Sequence, residues 1–452
     1  MKKFLLLLAL SSASFANTQQ LVELGANPIS SDGYHAEYTK IRCNNLGTPF
    51  TAYIKQGKLF VDRFVANVWE HTEGASGAID SLVKCLDFDY NPVNNQFYLL
   101  YTKSDGVYFK TYTNTWSATS YYPVVISGGA ATSCMMAVDH TNNIPYTIFR
   151  EGNDAILWKK YDFSTDSFDS IPAPVGFSDY QTTMISTDIE VNQATGDLFA
   201  AFQSTGLQAM ITKYNGNTWS DLDNAVTIDQ ISRLKLGFKY GATNELILGM
   251  NYNNGNGYYM QVKKYNTTSG LGSTIQTPVN YGYDYASMLY GLAVSPVNNY
   301  ISYAFNKFSF PVAPLLRYNT GSNSWTSFNH NLDDHTFYDV YYNQTGDLFL
   351  ATTSDSQNTL HIYKMDYFSL DVNEHEETTL ATYPNPVNES FEFDAKENGK
   401  AIIYTTEGQV VRSATITAGN HTFIVNDLPA ACYVVLFTGD SGIMTRTKII
   451  KL

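Results

Sequence analysis

The chain has 452 residues, of which 44% are hydrophobic and 15% are charged, so it can bury a large core and global disorder is excluded. Its formal net charge of −14 disfavours binding to nucleic acid or to an anionic membrane surface. Aromatic residues make up 14% of the chain, with 34 Tyr and 26 Phe, and these residue types favour β-strands.

The first 16 residues have the pattern of a secretory signal peptide. Lys2 and Lys3 form a basic segment, residues 4–10 are apolar, and residues 14–16 (Ser-Phe-Ala) have the small residues of a cleavage site. The apolar run is too short to cross about 30 Å of hydrocarbon. Cleavage after Ala16 is therefore predicted rather than a membrane anchor, and no later segment has the length and apolarity of a transmembrane segment.

A repeating unit fills the middle of the chain. Each copy has a polar turn that leads into an apolar strand, and the anchor residue of that strand recurs every 48 to 54 residues, at Phe50, Tyr98, Tyr146, Phe199, Ile247, Ile301 and Phe349. A second landmark at the end of the following strand keeps a matching period: Phe64, Tyr112, Tyr161, Tyr214, Tyr265, Tyr318 and Met365. Four strand-like runs in a repeat of this length are typical of a propeller blade. Seven units predict an all-β fold with a seven-bladed β-propeller.

The ring needs one more strand to close. The seventh unit has three strand-like runs before an acidic linker begins, and an open ring would expose strand edges. Residues 21–25 near the N-terminus resemble residues 219–223, which form the fourth run of another unit. We therefore predict that residues 18–26 are the outer strand of the last blade, so that the propeller spans residues 17–372.

Four of the five tryptophans begin the fourth strand of four different units: Trp69, Trp116, Trp219 and Trp325. Exposed tryptophan can stack on sugars. Its recurrence at one structural position instead favours a wedge between neighbouring blades.

The predicted ligand site lies on three loops of the fifth and sixth units. Residues 251–258 and 306–314 are longer than the corresponding loops elsewhere, and residues 281–285 carry three tyrosines. These loops are expected to be neighbours on the face where propellers usually bind ligands. Tyrosine, amide and carboxylate groups suit a sugar or a peptide. A loop cluster packed on itself is the alternative. The predicted ligand-binding residues are Tyr281, Tyr283, Asp284, Tyr285, Asn253, Asn254, Tyr258, Phe308 and Phe310.

No catalytic residue, cofactor or metal site is predicted. The chain has no GxSxG, HExxH or phosphate-binding glycine loop. Asp87 and Asp89 alternate along a first strand, so both carboxylates could face the central channel and offer ligands to calcium. Paired carboxylates for glycoside hydrolysis could also come from distant blades.

Four cysteines occur at spacings that fit no zinc motif: Cys43, Cys85, Cys134 and Cys432. Export would permit a disulfide, but nothing in the spacing requires one, and buried free thiols are expected.

The last part of the chain has a different composition. Residues 373–382 are a polar, acidic linker, and residues 383–452 contain the short strand-like runs of a small antiparallel β-sandwich. This segment resembles the C-terminal sorting domain of the type IX secretion system of Bacteroidetes, although Ala431 stands where that family usually has Gly. The residues that carry the resemblance, and the sorting signal that it implies, are Pro384, Asn385, Pro386, Gly408, Asp427, Tyr433, Lys448 and Lys451.

The resemblance implies a route. The chain would pass through the periplasm, the type IX machinery would read the tail, and the product would be secreted or attached to the outer cell surface. Three functions remain open for the propeller, because fold alone does not choose among them. The first is a non-catalytic module that binds glycan or protein. The others are a hydrolase or lyase acting on extracellular polysaccharide, and a structural component of a surface assembly.

Overall fold

A computed structural model gives the fold. It describes residues 21–25, 29, 36–73, 77–123, 131–151, 155–177, 187–204, 208–227, 230–238, 245–253, 258–270, 272–275, 288–297, 300–306, 315–320, 322–328, 335–354, 358–366, 382–405, 410–439 and 444–452. Every regular element in these ranges is a β-strand. Within them, no helix is long and apolar enough to cross a membrane. The predicted signal peptide lies outside the described residues, as does the linker up to residue 381.

The chain divides into two compact units, one formed by Thr18–Ser369 and the other containing Leu370–Leu452. The first unit consists of seven antiparallel sheets, which we number as blades in chain order.

Blades 1 to 4 each contain four consecutive strands, with one short addition. Blade 1 contains β2 (Ala36–Cys43), β3 (Pro49–Lys55), β4 (Lys58–Val65) and β5 (Val68–His71), and β6 (Ala78–Ser81) also pairs with β4. Blade 2 contains β7 (Cys85–Asn91), β8 (Gln96–Lys103), β9 (Gly106–Tyr112) and β10 (Ser120–Pro123). Blade 3 contains β11 (Ala131–Asp139), β12 (Ile144–Glu151), β13 (Ala155–Asp162) and β14 (Ser167–Ser170). Blade 4 contains β15 (Thr187–Val191), β16 (Leu198–Gln203), β17 (Gln208–Tyr214) and β18 (Trp219–Thr227).

Blades 5 to 7 complete the unit. Blade 5 contains β19 (Gln230–Phe238), β20 (Glu245–Asn253), β21 (Tyr258–Asn266) and β22 (Gly272–Ile275). Blade 6 contains β23 (Met288–Val294), β24 (Tyr300–Asn306), β25 (Leu315–Asn319) and β26 (Ser324–Phe328). Blade 7 contains β27 (His335–Tyr342), β28 (Leu348–Ser354), β29 (Thr359–Met365) and, from the other end of the chain, β1 (Val22–Glu23).

The seven blades form a closed ring. The first strand of each blade contacts the first strand of the next, in the order β2, β7, β11, β15, β19, β23, β27 and back to β2. Seven apolar clusters fill the spaces between neighbouring blades; the one between blades 1 and 2, for example, contains Phe50, Phe88 and Phe97. Burying one such aromatic side chain contributes roughly 1.5–3 kcal/mol. Second strands such as β28 are buried along their whole length, because both faces pack against other blades.

The repeated polar turn has a conformational cause. The residue at a corresponding place before five of the second strands has a left-handed backbone, with φ between 54° and 85°: Gly47, Asn95, Asn143, Gly196 and Gly346. Glycine and asparagine adopt this conformation at the lowest cost. The Asn and Gly content of the repeat therefore reflects a turn that recurs from blade to blade.

The outer strand of blade 7 comes from the N-terminal segment. Val22 pairs with Lys364 and Glu23 with Tyr363, in antiparallel register. The Leu24 N–H donates to the Ile362 carbonyl at 2.8 Å. The Glu23 carboxylate lies 2.6 Å from Nδ1 of His361, a residue 338 positions away in the chain. Residues 18–20 and 26 of the predicted closing strand lie outside the described part of the chain.

The second unit is a small β-sandwich. One sheet contains β30 (Thr382–Tyr383), β31 (Ser390–Ala395) and β34 (Gly419–Ile424). The other contains β33 (Val410–Ile416), β32 (Gly399–Thr405), β35 (Ala431–Gly439) and β36 (Met444–Lys451). Phe391, Phe393, Ile403 and Val435 belong to the core between the two sheets. The predicted fold class, a seven-bladed β-propeller followed by a small β-sandwich, is confirmed.

Candidate functional site

Only two of the nine predicted ligand-binding residues, Asn253 and Tyr258, lie within the described residues. Asn253 ends β20 and Tyr258 begins β21, and the two residues pair across this hairpin. The other seven predicted ligand residues lie outside the described residues: Tyr281, Tyr283, Asp284, Tyr285, Asn254, Phe308 and Phe310. The loop site therefore stays a prediction.

A set of charged side chains lies on the first strands of the blades, which surround the central channel. Alternate residues of a strand share one face, so two residues of each first strand lie on the same face. The equivalent residues of the seven first strands form two levels, which we call the first and second tiers. The first tier pairs with the residue two positions after each blade's anchor and consists of Lys40, Asp87, Met135, Asp188, Lys235, Leu292 and Asp339. The second tier pairs with the anchor itself and consists of Arg42, Asp89, Ala137, Glu190, Gly237, Val294 and Tyr341. We call the eight charged members of these tiers the channel cluster.

Three aspartates of the first tier connect neighbouring blades. Asp87 accepts a hydrogen bond from the backbone N–H of Met136 at 2.8 Å. Asp188 and Asp339 accept equivalent bonds from Leu236 at 2.7 Å and Ile41 at 3.1 Å. Each bond runs from the first strand of one blade to the first strand of the next. These carboxylates therefore have a structural role, and they hold the channel wall in place.

Basic side chains neutralise most of the acidic ones. Lys40 lies 3.0 Å from Asp87, and Lys235 lies 3.0 Å from Asp188. Arg42 links three blades, with its Nη1 2.7 Å from Asp339 and its Nε 3.2 Å from Asp89. Burial alone would raise the pKa of Asp87, but the charges of Lys40 and Arg42 and the bond from the Met136 N–H lower it. Neither Asp87 nor Asp89 is thus a free ligand for a cation.

The alternation of Asp87 and Asp89 left calcium open as a ligand of these carboxylates, although no metal site was predicted. Within the described residues, no group of three or more His, Cys, Asp or Glu side chains is placed to hold a metal ion.

Glu190 differs from the other acids of the cluster. Its neighbours in the second tier are Ala137 and Gly237, which have no side chain that could pair with a carboxylate. Among the described residues, no lysine or arginine forms an ion pair with it. Burial, together with the negative charges of Asp89 and Asp188, raises the pKa of Glu190 to about 8. At neutral pH this side chain is mostly a neutral carboxylic acid, which both donates and accepts hydrogen bonds.

The tryptophans are confirmed as wedges between blades in three cases. The indole N–H of Trp69 donates to the Leu24 carbonyl of blade 7 at 3.0 Å. Those of Trp116 and Trp219 reach the blade before their own, at Thr72 Oγ1 (3.1 Å) and the Pro172 carbonyl (2.7 Å). The four rings also lie 5.0 to 5.1 Å from the aromatic landmark of their own blade. These contacts favour a structural role for the tryptophans over a role in ligand binding.

A pocket of about 180 Å³ lies between blades 1 and 2, lined by residues that include Asn44, Phe50, Arg63 and Tyr112. Sites for drug-sized ligands usually have about 300–1,000 Å³. This pocket is therefore small for such a ligand.

In the second unit, the two ends of the predicted sorting signal lie together. The Asn385 side chain donates from Nδ2 to the Lys448 carbonyl at 2.6 Å and accepts from the Ile450 N–H at 2.9 Å. Val387 bonds the same final strand through Ile450 and Leu452. The segment from Pro384 to Pro386 is thus hydrogen-bonded to β36, the strand that carries Lys448 and Lys451.

Two more residues of that signal have defined partners. The carboxylate of Asp427 lies 2.6 Å from Nη2 of Arg412. The hydroxyl of Tyr433 donates to the Pro429 carbonyl at 2.9 Å. Gly408 lies outside the described residues. The role of these residues in sorting stays a prediction.

Comparison with known proteins identifies the second unit. Residues 381–451 match the family model described as the secretion system C-terminal sorting domain. The resemblance to the type IX sorting domain is thereby confirmed, and it indicates export to the cell surface or secretion, with the secretion machinery as the implied partner. No curated protein matches the chain.

Solved structures with a similar fold come from several bacteria. The extracellular domain of a putative hybrid two-component system from B. thetaiotaomicron has a TM-score of 0.51 at 10% identity, covering 88% of this chain and 47% of that one. This chain thus spans about half the length of that domain. A GH74 xyloglucanase from Xanthomonas campestris has a TM-score of 0.51 at 12% identity, covering 96% and 74%. An oligogalacturonate lyase from Vibrio parahaemolyticus has a TM-score of 0.50 at 8% identity, covering 78% and 94%. Identities this low support the fold alone.

Proposed function

We propose that this protein works outside the cell as a non-catalytic propeller that binds a glycan or a protein at its central channel and the adjoining loops. The channel cluster is the observation that carries the proposal. Its charged groups are held in fixed positions by one another and by backbone N–H groups, and a rigid polar surface of this kind binds a ligand with little cost of ordering.

Glu190 is the group of the cluster best suited to contact a ligand. It lies between the two smallest side chains of its tier, and no basic residue of the described chain pairs with it. As a neutral acid it can donate a hydrogen bond to a sugar hydroxyl or to a peptide carbonyl. Arg42 and Asp89 stand in the same tier and supply further donors and acceptors. The predicted tyrosines of residues 281–285 would add apolar ring faces at the loops.

A glycan array probed with the full chain tests this proposal. Glycans are the first class to test, because two proteins of similar fold are named as an oligogalacturonate lyase and a xyloglucanase. We expect binding that falls about tenfold in Glu190→Ala, which removes both the donor and the acceptor, the worth of one hydrogen bond to a ligand. Glu70→Ala changes an exposed glutamate on an outer strand and should leave binding unchanged. An array without binding, together with no co-purifying protein, would overturn the proposal.

The predicted loop site can be tested separately. Replacing Tyr283 and Tyr285 by alanine removes ring faces that we expect to contact the ligand. We expect a loss of binding of about tenfold or more, since aromatic side chains often dominate such interfaces. Unchanged binding in this variant with weakened binding in Glu190→Ala would confine the site to the channel.

Hydrolysis of polysaccharide is a second candidate, favoured by the state of Glu190. Glycosidases place a protonated acid and a second carboxylate on either side of the bond that they break, and Asp89 lies in the same tier as Glu190. Turnover of a polysaccharide panel that falls about 10²–10⁴-fold in Glu190→Gln would support this function. Binding without any product would exclude it and leave the first proposal standing.

A further inference from the structure

Two cysteines meet in the space between blades 2 and 3. Cys85 is the first residue of β7, and Cys134 lies in β11, the first strand of the next blade. Their Sγ atoms are 3.2 Å apart, and the N–H of Cys134 donates to Sγ of Cys85 at 3.1 Å. Both side chains are buried in the same apolar cluster. The sequence led us to expect buried free thiols, because the spacing of the cysteines does not show that Cys85 and Cys134 are in contact.

The two sulfur atoms need only a short approach to bond. A disulfide joins sulfur atoms at about 2.05 Å, so a movement of roughly 1 Å, shared between two side chains, closes the distance. No backbone hydrogen bond of a sheet joins β7 to β11, because the two strands belong to different sheets. A bond here would therefore link two blades covalently.

The route of the protein supplies the chemical conditions. A chain with a type IX sorting domain leaves the reducing cytosol, and disulfides form and persist in the compartments beyond it. Burial raises the pKa of the Cys134 thiol, so little reactive thiolate exists once the blades have packed. Oxidation before the final packing of blades 2 and 3 is therefore the favoured order.

We propose that Cys85 and Cys134 form a disulfide that cross-links blades 2 and 3 during export. The oxidant is a protein disulfide of the dithiol–disulfide exchange class. One cysteine thiolate attacks a donor sulfur and forms a mixed disulfide, and the second then attacks the first and releases the donor as a dithiol. The two thiols lose two protons and two electrons, and the donor disulfide is reduced by the same two electrons.

Mass spectrometry of the full chain, exported to an oxidising periplasm and alkylated under denaturing conditions without reductant, tests the proposal directly. We expect a linked peptide pair containing Cys85 and Cys134, with Cys43 and Cys432 alkylated. Four alkylated cysteines, or a different pairing, would overturn it.

A stability measurement gives a second readout. We expect a reductant to lower the melting temperature of the wild-type propeller by roughly 5 °C, from the constraint that a disulfide closing a loop of this size places on the unfolded chain. Cys85→Ala should lose this sensitivity to reductant. Cys43→Ala removes another buried thiol on a first strand and should keep it. An equal effect of the reductant on wild type and Cys85→Ala would contradict the cross-link, and the alkylation result stands even if Cys85→Ala fails to fold.

Discussion

Single residues on the first strands perform two distinct tasks. Asp87, Asp188 and Asp339 occupy equivalent register positions and bond the next blade. Glu190 sits one tier away and has no equivalent partner, because Ala137 and Gly237 flank it. The same channel wall thus contains aspartates that hold the ring together and one glutamate that forms no ion pair with a basic side chain of the described residues.

Glu190 makes the stability of the propeller depend on pH. Its pKa of about 8 in the folded protein lies above the value of about 4.3 expected in the unfolded chain. Between these values the folded state binds the extra proton, so the free energy of unfolding falls as the pH rises, by at most about 1.4 kcal/mol per pH unit. The contribution is fully present below about pH 4 and is lost by about pH 8.

Glu190→Gln keeps the shape of the side chain and removes this ionisation. We expect the variant to gain stability relative to wild type as the pH is raised from 5 to 8, measured by urea unfolding with tryptophan fluorescence. Other groups titrate alike in both proteins and cancel in the difference. A difference that stays constant across this range would contradict the raised pKa.

Only part of the channel cluster could be predicted from the sequence. The alternation of Asp87 and Asp89 marked one strand. Arg42 and Asp339, although 297 residues apart, form one ion pair, and nothing local in the sequence announces it. A usable signal did exist: Asp87 and Asp188 precede their anchors Tyr98 and Phe199 by the same 11 residues, so aligning the repeats would have placed both on one register.

At the level of elements, the closure of blade 7 depends on the pairing of β1 with β29. Two strand residues and a few flanking groups provide the outer edge of blade 7. Leu24 also receives the indole N–H of Trp69, which couples the closing strand to blade 1. A short strand therefore stabilises the junction between the two ends of the ring.

Deleting residues 17–25 should destabilise the propeller sharply. The deletion removes several hydrogen bonds, each worth about 1 kcal/mol, and exposes the edge of β29. We expect a loss of roughly 2–4 kcal/mol in the free energy of unfolding, measured by tryptophan fluorescence. Val22→Thr changes an exposed side chain of the same strand and should alter stability by less than about 0.5 kcal/mol. A deletion variant with the wild-type midpoint would show that the strand is dispensable.

The elements themselves were largely predictable, and for a physical reason. A left-handed turn position favours Gly or Asn, as at Asn95 and Gly196, so these residues mark the turns in the sequence. The inter-blade position of the tryptophans followed from their recurrence. Residues 281–285 and 306–314 interrupt the repeat, so their conformation could not be predicted from it.

For the molecule as a whole, the proposed binding site and the sorting domain lie in separate units. All five tryptophans, namely Trp69, Trp116, Trp158, Trp219 and Trp325, belong to the propeller unit. Their fluorescence therefore reports on the unfolding of that unit alone.

Truncation after Ser369 tests this division. We expect the propeller to keep its fluorescence unfolding midpoint, because its apolar clusters and closing strand are complete without the tail. Export should be abolished, measured by fractionating cells that produce the truncated chain. Asp394→Ala, a change at an exposed residue of the tail, should preserve both export and stability. A truncated chain that still reached the medium would separate export from the sorting domain.

The closing of blade 7 by β1 has a consequence for quality control during synthesis. The partner of β1 is not made until the chain reaches Met365, and the sorting domain is encoded after that point. A chain interrupted within the blades has an unpaired strand edge, which proteases and chaperones can recognise, and it lacks the C-terminal sorting domain. Only a chain that already contains every strand of the ring also contains the sorting domain that directs it out of the cell.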